Sequence, residues 1–165
     1  MPERATLQRA KRQLRRGRSA STAAGEFVRE EMDHVREGKH GARSTKQAIA
    51  IGLSKARRAG VPLRAPKRGT SATRRAAARD LRTGQGQRKP RAPSRTRSRA
   101  TREALRREPH RAASHRALAS HAHTTAAQRG RAARSASARK AVRTKGPAAR
   151  KASARKAAAT RQRNR

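Results

Sequence analysis

Residues 21–63 read STAAGEFVREEMDHVREGKHGARSTKQAIAIGLSKARRAGVPL, and the fold is decided by how this stretch is parsed. Ser21 or Thr22 can cap a helix that runs to Glu37 and stops at Gly38. Phe27, Val28, Met32 and Val35 then fall along one stripe. A second helix starts at Ser44, which has capping-box spacing to Gln47. Ile49, Gly52, Leu53 and Ala56 follow at helical period, and Gly60 with Pro62 ends the run. The connection over residues 38–43 is short enough for the two helices to fold back as a hairpin. Its expected core is Phe27, Val28, Met32, Val35, Ile49 and Leu53, with Ile51, Val61 and Leu63 adding apolar area.

Little outside the hairpin can pack in the same way. The chain has 165 residues, 32% of them hydrophobic, but 37 of those are alanine and only 16 are larger. Twelve of the 16 lie in residues 1–70, leaving Leu81, Leu105, Leu118 and Val142 beyond. The chain contains one Phe, no Trp and no Tyr. It carries 47 Lys and Arg against 9 Asp and Glu, a formal charge of +38. Few large apolar residues with high net charge is the signature of disorder, because burial cannot offset chain entropy and self-repulsion. The expected fold class is mostly α with extensive disorder: a small N-terminal helical hairpin followed by an Ala/Arg-rich tail that is only conditionally helical. The segments are a basic arm over 1–20, the hairpin over 21–64, a short helix (71–81) and linker within 65–93, and a low-complexity tail over 94–165. Within the tail, 98–108 and 112–129 have helical propensity, opposed by repulsion between like charges four residues apart.

The tail also repeats itself. Residues 130–145 (GRAARSASARKAVRTK) align without gaps on residues 146–161 (GPAARKASARKAAATR), with 11 of 16 positions identical. A unit this short with almost nothing apolar to pack multiplies a cationic element. The expected phosphate-binding residues are Arg95, Arg97, Arg99, Arg102, Arg106 and Arg107 as one cluster. The repeats supply Arg131, Arg134, Arg139, Lys140, Arg143, Lys145, Arg150, Lys151, Arg155, Lys156 and Arg161 as the other. Such a polycation seeks a polyanion.

Other chemistries find less support. The six histidines (His34, His40, His110, His115, His121 and His123) show no ligand spacing, so no metal site and no cofactor are expected, and they read as solvated. No catalytic residues are expected, because a shaped, dry pocket cannot be built from this composition, and the protein is not read as an enzyme. There is no apolar run long enough to cross a membrane, no secretory signal and no cysteine. Lys89-Pro90-Arg91-Ala92-Pro93 weakly echoes a minor-groove hook. The hairpin is a poor helix-turn-helix, since its connection is long and the exposed side of the second helix (Lys46, Lys55, Arg57, Arg58) offers charge rather than base-reading groups.

Residues 26–60 resemble a family of small basic bacterial proteins. The likeness centres on residues 44–60, which fit the pattern Ser/Thr-x-Lys-Gln-Ala-Ile-Ala-Ile-Gly-Leu-Ser-x-Ala-Arg-x-Ala-Gly. Members are described as DNA-binding or plasmid-stabilisation-like. The tail is similar in composition to the arms of bacterial linker-histone-like proteins, with Arg in place of Lys. The resulting expectation is a histone-like, nucleoid-associated protein of the cytoplasm that contacts DNA phosphates with little sequence preference. The alternatives are RNA or ribosome association, and a hairpin that docks an unknown protein partner while the tail only localises it.

Overall fold

In the computed structural model, which describes residues 2–89, 92 and 94–163, the chain is all-helical. Seven α-helices follow one another: α1 (Arg4–Arg15), α2 (Ala20–Arg36), α3 (Thr45–Arg58), α4 (Ser71–Gly84), α5 (Arg95–Arg107), α6 (His115–Gln128) and α7 (Gly130–Arg163), with a 3-10 turn (His110–Ala113) before α6. Two compact units result, Met1–Ala119 and Ser120–Arg165.

The expectation of extensive disorder is therefore wrong. The stretch read as a conditionally helical tail forms α5, α6 and α7 in the chain alone. Local signals explain the outcome. Alanine is the strongest helix former and arginine is close behind. Ser94 and Ser114 cap α5 and α6, accepting from Arg97 N at 3.5 Å and Ala117 N at 3.2 Å. Like-charge repulsion weighs little against them, since Arg95–Arg99 and Arg102–Arg106 are the pairs four apart on α5. Within the described part of α7 only Arg139–Arg143 and Lys151–Arg155 stand four apart as like charges. Each such pair costs only about 0.2–0.5 kcal/mol.

The first unit is built around α2, which packs against α3, α1 and the 3-10 turn, while α4 covers α3. Ser19, not Ser21 or Thr22, caps α2, its Oγ accepting from Thr22 N at 3.3 Å. Ser44 caps α3 at 3.2 Å from Gln47 N, and the Gln47 side chain reaches back to Arg43 N at 2.8 Å. Gly38 and Gly60 take positive φ beyond the ends of α2 and α3, where a side chain would be strained.

Two apolar clusters fill the interior. Phe27 sits with Ala10, Ala23, Ala24, Ala56 and Val61, flanked by half-buried Leu7, Leu14 and Leu53. Met32 and Val35 sit with Ala42, Ala48, Ala112 and Ala113, flanked by Val28 and Ile49. Large side chains alone do not account for this arrangement. Small residues let the backbones close in, and dispersion contacts then come from main chain as well as side chain. At Gly52 a Cβ would lie 2.7 Å from Val28 Cα, so α2 and α3 touch backbone to backbone there. The same device seats the chain after α5. Gly41 N donates to Leu105 O at 2.8 Å and Ala42 N to Pro109 O at 3.1 Å. Thr45 Oγ1 donates to Ala112 O at 2.7 Å, and Arg36 Nε to Ala113 O at 2.9 Å.

The second unit contains α7, a helix broken at Gly146, where φ is 68° and ψ is 172°. Gly130 at its start has φ 72°. Each 16-residue repeat thus opens on a left-handed glycine and continues as one helical arm, with Pro147 in the first turn of the second arm, where its missing N–H costs nothing. No described side chain of either arm is buried.

Candidate nucleic-acid interface

The cationic helices α5 and α7 position the seventeen arginines and lysines singled out from the sequence. All of them are exposed. On α5, Arg95, Arg99, Arg102 and Arg106 recur at intervals of four, three and four, which lines them along one face. Arg95, Arg99 and Arg102 line an open cleft of about 580 Å³ with Thr96 and Ser98. Part of that charge is spent locally. Arg99 Nε pairs with Glu103 Oε1 at 2.8 Å, and Arg102 Nε donates to Ser98 O at 3.3 Å. Arg97 and Arg107 lie off this face.

The α7 cations are arranged differently. At 100° per residue, the residues from Arg131 to Lys145 fall all round the first arm, and those from Arg150 to Arg161 all round the second. Neither arm has a single basic face. No acidic residue follows Glu108, so none of these groups has a carboxylate partner within its own segment. Arg134 is committed to main chain instead, its Nη1 reaching Ala126 O and Ala127 O at 3.3 and 3.4 Å across the Gly130 junction. At the Gly146 break the two arms enclose an open cleft of about 650 Å³ lined by Val142, Lys145, Pro147, Arg150 and Lys151. Val142 is the one large hydrophobic that stays exposed among the described residues.

The basic side of α3 is smaller than its sequence implies. Arg57 is buried, donating from Nε to Leu63 O at 3.1 Å and from Nη2 to Arg64 O at 3.4 Å. Burial lowers its pKa, an effect only partly opposed by the Asp80 carboxylate. Lys55 is turned inward between Glu30 and Glu31. Only Lys46 and Arg58 of the four remain exposed, and Arg58 Nε stands 3.9 Å from Asp80 Oδ1. The hook-like segment at 89–93 has Pro90, Arg91 and Pro93 outside the described residues.

The acidic segment has a structural use that spacing alone does not reveal. Glu30 and Glu31 are buried at the α2–α3 contact. Lys55 Nζ lies 2.6 Å from Glu31 Oε2 and 3.6 Å from Glu30 Oε1, and Glu3 N donates to Glu30 Oε2 at 3.2 Å. Glu26 binds Arg9 Nε at 3.0 Å, which ties α1 to α2. Around the same end, Glu3 Oε1 meets His34 Nε2 at 3.1 Å, a hydrogen bond that lowers the Glu3 pKa, with Lys39 adding to the effect. Lys39, held 2.8 Å from Glu37 Oε2, has its pKa raised by that contact. These acids thus stand beside cationic partners within the first unit, although Glu30 Oε1 and both oxygens of Glu31 are without an aligned hydrogen bond.

Among the described residues, no helix is long and apolar enough to cross a membrane. No family model matches the sequence, and no curated protein or solved structure matches it.

Proposed function

We propose that this protein is a histone-like, nucleoid-associated binder of duplex DNA, which contacts phosphates through α5 and the two arms of α7 with little sequence preference, and that it is not an enzyme. The observation that carries this reading is the distribution of cations on α7, which are exposed, without acidic neighbours in sequence and spread all round the helix. A helix that reads base edges needs one face aimed into a groove. A helix that collects phosphates from both walls of a groove needs charge on every side. The Ala-rich arms are slim, and a helix of about 10–12 Å diameter fits the major groove of B-form DNA, about 12 Å wide. The A-form groove of double-stranded RNA is deep and narrow and does not admit it. The lack of Trp and Tyr argues against stacking on unpaired bases.

Each arm is about 24 Å long at 1.5 Å per residue and faces about 14 phosphate charges at one per 1.7 Å of duplex. The first repeat carries six cations and the second five. Binding therefore neutralises fewer than half of the charges an arm spans, and the duplex stays a target for further copies.

Competition titrations test the reading. Unlabelled duplexes of unrelated sequence should displace a labelled duplex within a few-fold of one another. Structured RNA of equal phosphate number should displace it less well. RNA displacing at lower concentration than DNA would replace duplex DNA with RNA as the partner.

A further inference from the structure

The fold brings together three residues whose sequence spacing carries no ligand pattern. Glu31 and His34 share a face of α2 at spacing i, i+3, and His40 comes from the connection to α3. One donor atom from each lies within 4.8 Å of the others. The Glu31 side chain is wholly buried, and neither of its oxygens is in hydrogen-bond alignment with a partner. Lys55 stands beside Oε2, which leaves Oε1 facing His40 Nε2 at 3.2 Å.

The other nitrogen of that ring decides what the contact means. His40 Nδ1 is 3.1 Å from Gly41 O, and a carbonyl only accepts, so Nδ1 carries the hydrogen. In the neutral ring Nε2 then points a lone pair at a carboxylate oxygen that also offers only lone pairs. Such a pair needs a cation between them, either a proton on Nε2 or a metal ion. A backbone carbonyl on the far nitrogen is the arrangement that orients a metal-binding imidazole and fixes its tautomer. His34 Nε2 is the third donor; Glu3 Oε1, 3.1 Å from it and 3.7 Å from Lys39 Nζ, stands outside this group of three and has to swing in to become a fourth. Ligands around a tetrahedral zinc at about 2.0–2.2 Å stand roughly 3.3–3.6 Å apart, so the three-residue group, whose atoms lie within 4.8 Å of one another, has to close by at most about 1.5 Å.

We propose that Glu31, His34 and His40, with Glu3 as the fourth ligand, bind one zinc ion that pins the α2–α3 connection and the start of α1 together. Two imidazoles with two carboxylates suit a first-row transition ion, and they do not suit the all-oxygen preference of calcium or magnesium. The overall +38 does not govern the local field. Glu3 and Glu30 stand beside it with Lys39 and Lys55, while Asp33 and Glu37 are paired with Arg36 and Lys39. The role is structural, since the group ties packed helices together and all four ligand positions are filled by the chain.

The full chain, freed of nucleic acid and stripped of metal, should be titrated with zinc chloride by calorimetry and with cobalt chloride by visible absorption. The expected result is one ion per chain, the intense visible bands of four-coordinate cobalt, and a higher melting temperature with zinc. His34→Gln and, separately, Glu3→Gln should each weaken binding at least tenfold, by analogy with the loss that even outer ligand partners produce. The double variant His121→Gln, His123→Gln should leave it unchanged. Glu3 is exposed, so its variant reports on the ion even if His34→Gln disturbs α2. No saturable binding by the unaltered chain would overturn the proposal and assign the His40–Glu31 contact to a proton. Binding that survives Glu3→Gln and His34→Gln, or that is lost with His121 and His123, would overturn it too.

Discussion

Replacing Phe27 with alanine should lower the stability of the first unit by about 3–5 kcal/mol, the usual cost of truncating a buried phenylalanine. Phe27 is wholly buried and is the only aromatic residue of the Phe, Trp and Tyr class in the chain. Four of its five buried neighbours, Ala10, Ala23, Ala24 and Ala56, carry a single methyl each and cannot reach into the vacated space, which leaves Val61 and the flanking leucines to fill it in part. Domains have total stabilities of about 5–15 kcal/mol, so the variant should lose cooperative melting or melt more than about 10 °C lower. DNA affinity at fixed salt should fall far less than on loss of α7, because eleven of the seventeen proposed phosphate-binding residues lie on α7, outside the first unit. Circular dichroism melts and one binding titration check both halves. An unchanged melt would remove Phe27 from the core. A loss of DNA binding as large as that caused by removing α7 would make the α2–α3 hairpin the reading head.

Deleting residues 130–165 should have the opposite pattern. It removes 13 of the 47 cations, no anion, and only one large apolar side chain, Val142. The melting temperature of the first unit should stay the same while the helical signal falls by the length of α7. Affinity should drop by orders of magnitude at physiological salt. If the deleted cations supply half of about ten phosphate contacts, the slope of log K against log salt should fall from about −9 to about −4.5. Melting of the first unit on truncation would show that α7 has a structural role, and unchanged affinity would remove α7 from the binding surface and leave it to α5 and the rest of the first unit.

The two central helices are legible in the sequence because their signals are local. Ser44, Gln47, Gly38, Gly60 and Pro62 punctuate them, and Phe27, Met32 and Val35 mark the inward stripe. Packing by small residues is not legible. Ala10, Ala56, Ala112 and Ala113 are interchangeable with dozens of other alanines until the backbone around them is known. The approach of Gly52 to Val28, and of the connection at Gly41 to the chain after α5, depends on positions far apart in sequence. The mistaken expectation of disorder has the same source. It counts large side chains and net charge, and it gives too little weight to alanine propensity, to Ser94 and Ser114 as caps, and to how seldom like charges fall four apart in α7. Among the candidate site residues, exposure of the α7 cations follows from composition. The inward turn of Lys55 and Arg57 follows instead from Glu30, Glu31 and the Leu63 and Arg64 carbonyls, partners that periodicity on α3 does not show. The Glu31–His34–His40 group escapes for a related reason, since its spacing is ordinary and only the reversal at Gly38 brings His40 back to α2.

The most direct test of phosphate-based binding is the affinity of the full chain for one duplex measured across a series of salt concentrations. About ten phosphate contacts give a slope of log K against log salt near −9, and a loss of about 10³–10⁵ in affinity between 50 and 200 mM salt. A slope near −2 would mean that most of the charge never meets the duplex, and would contradict the account.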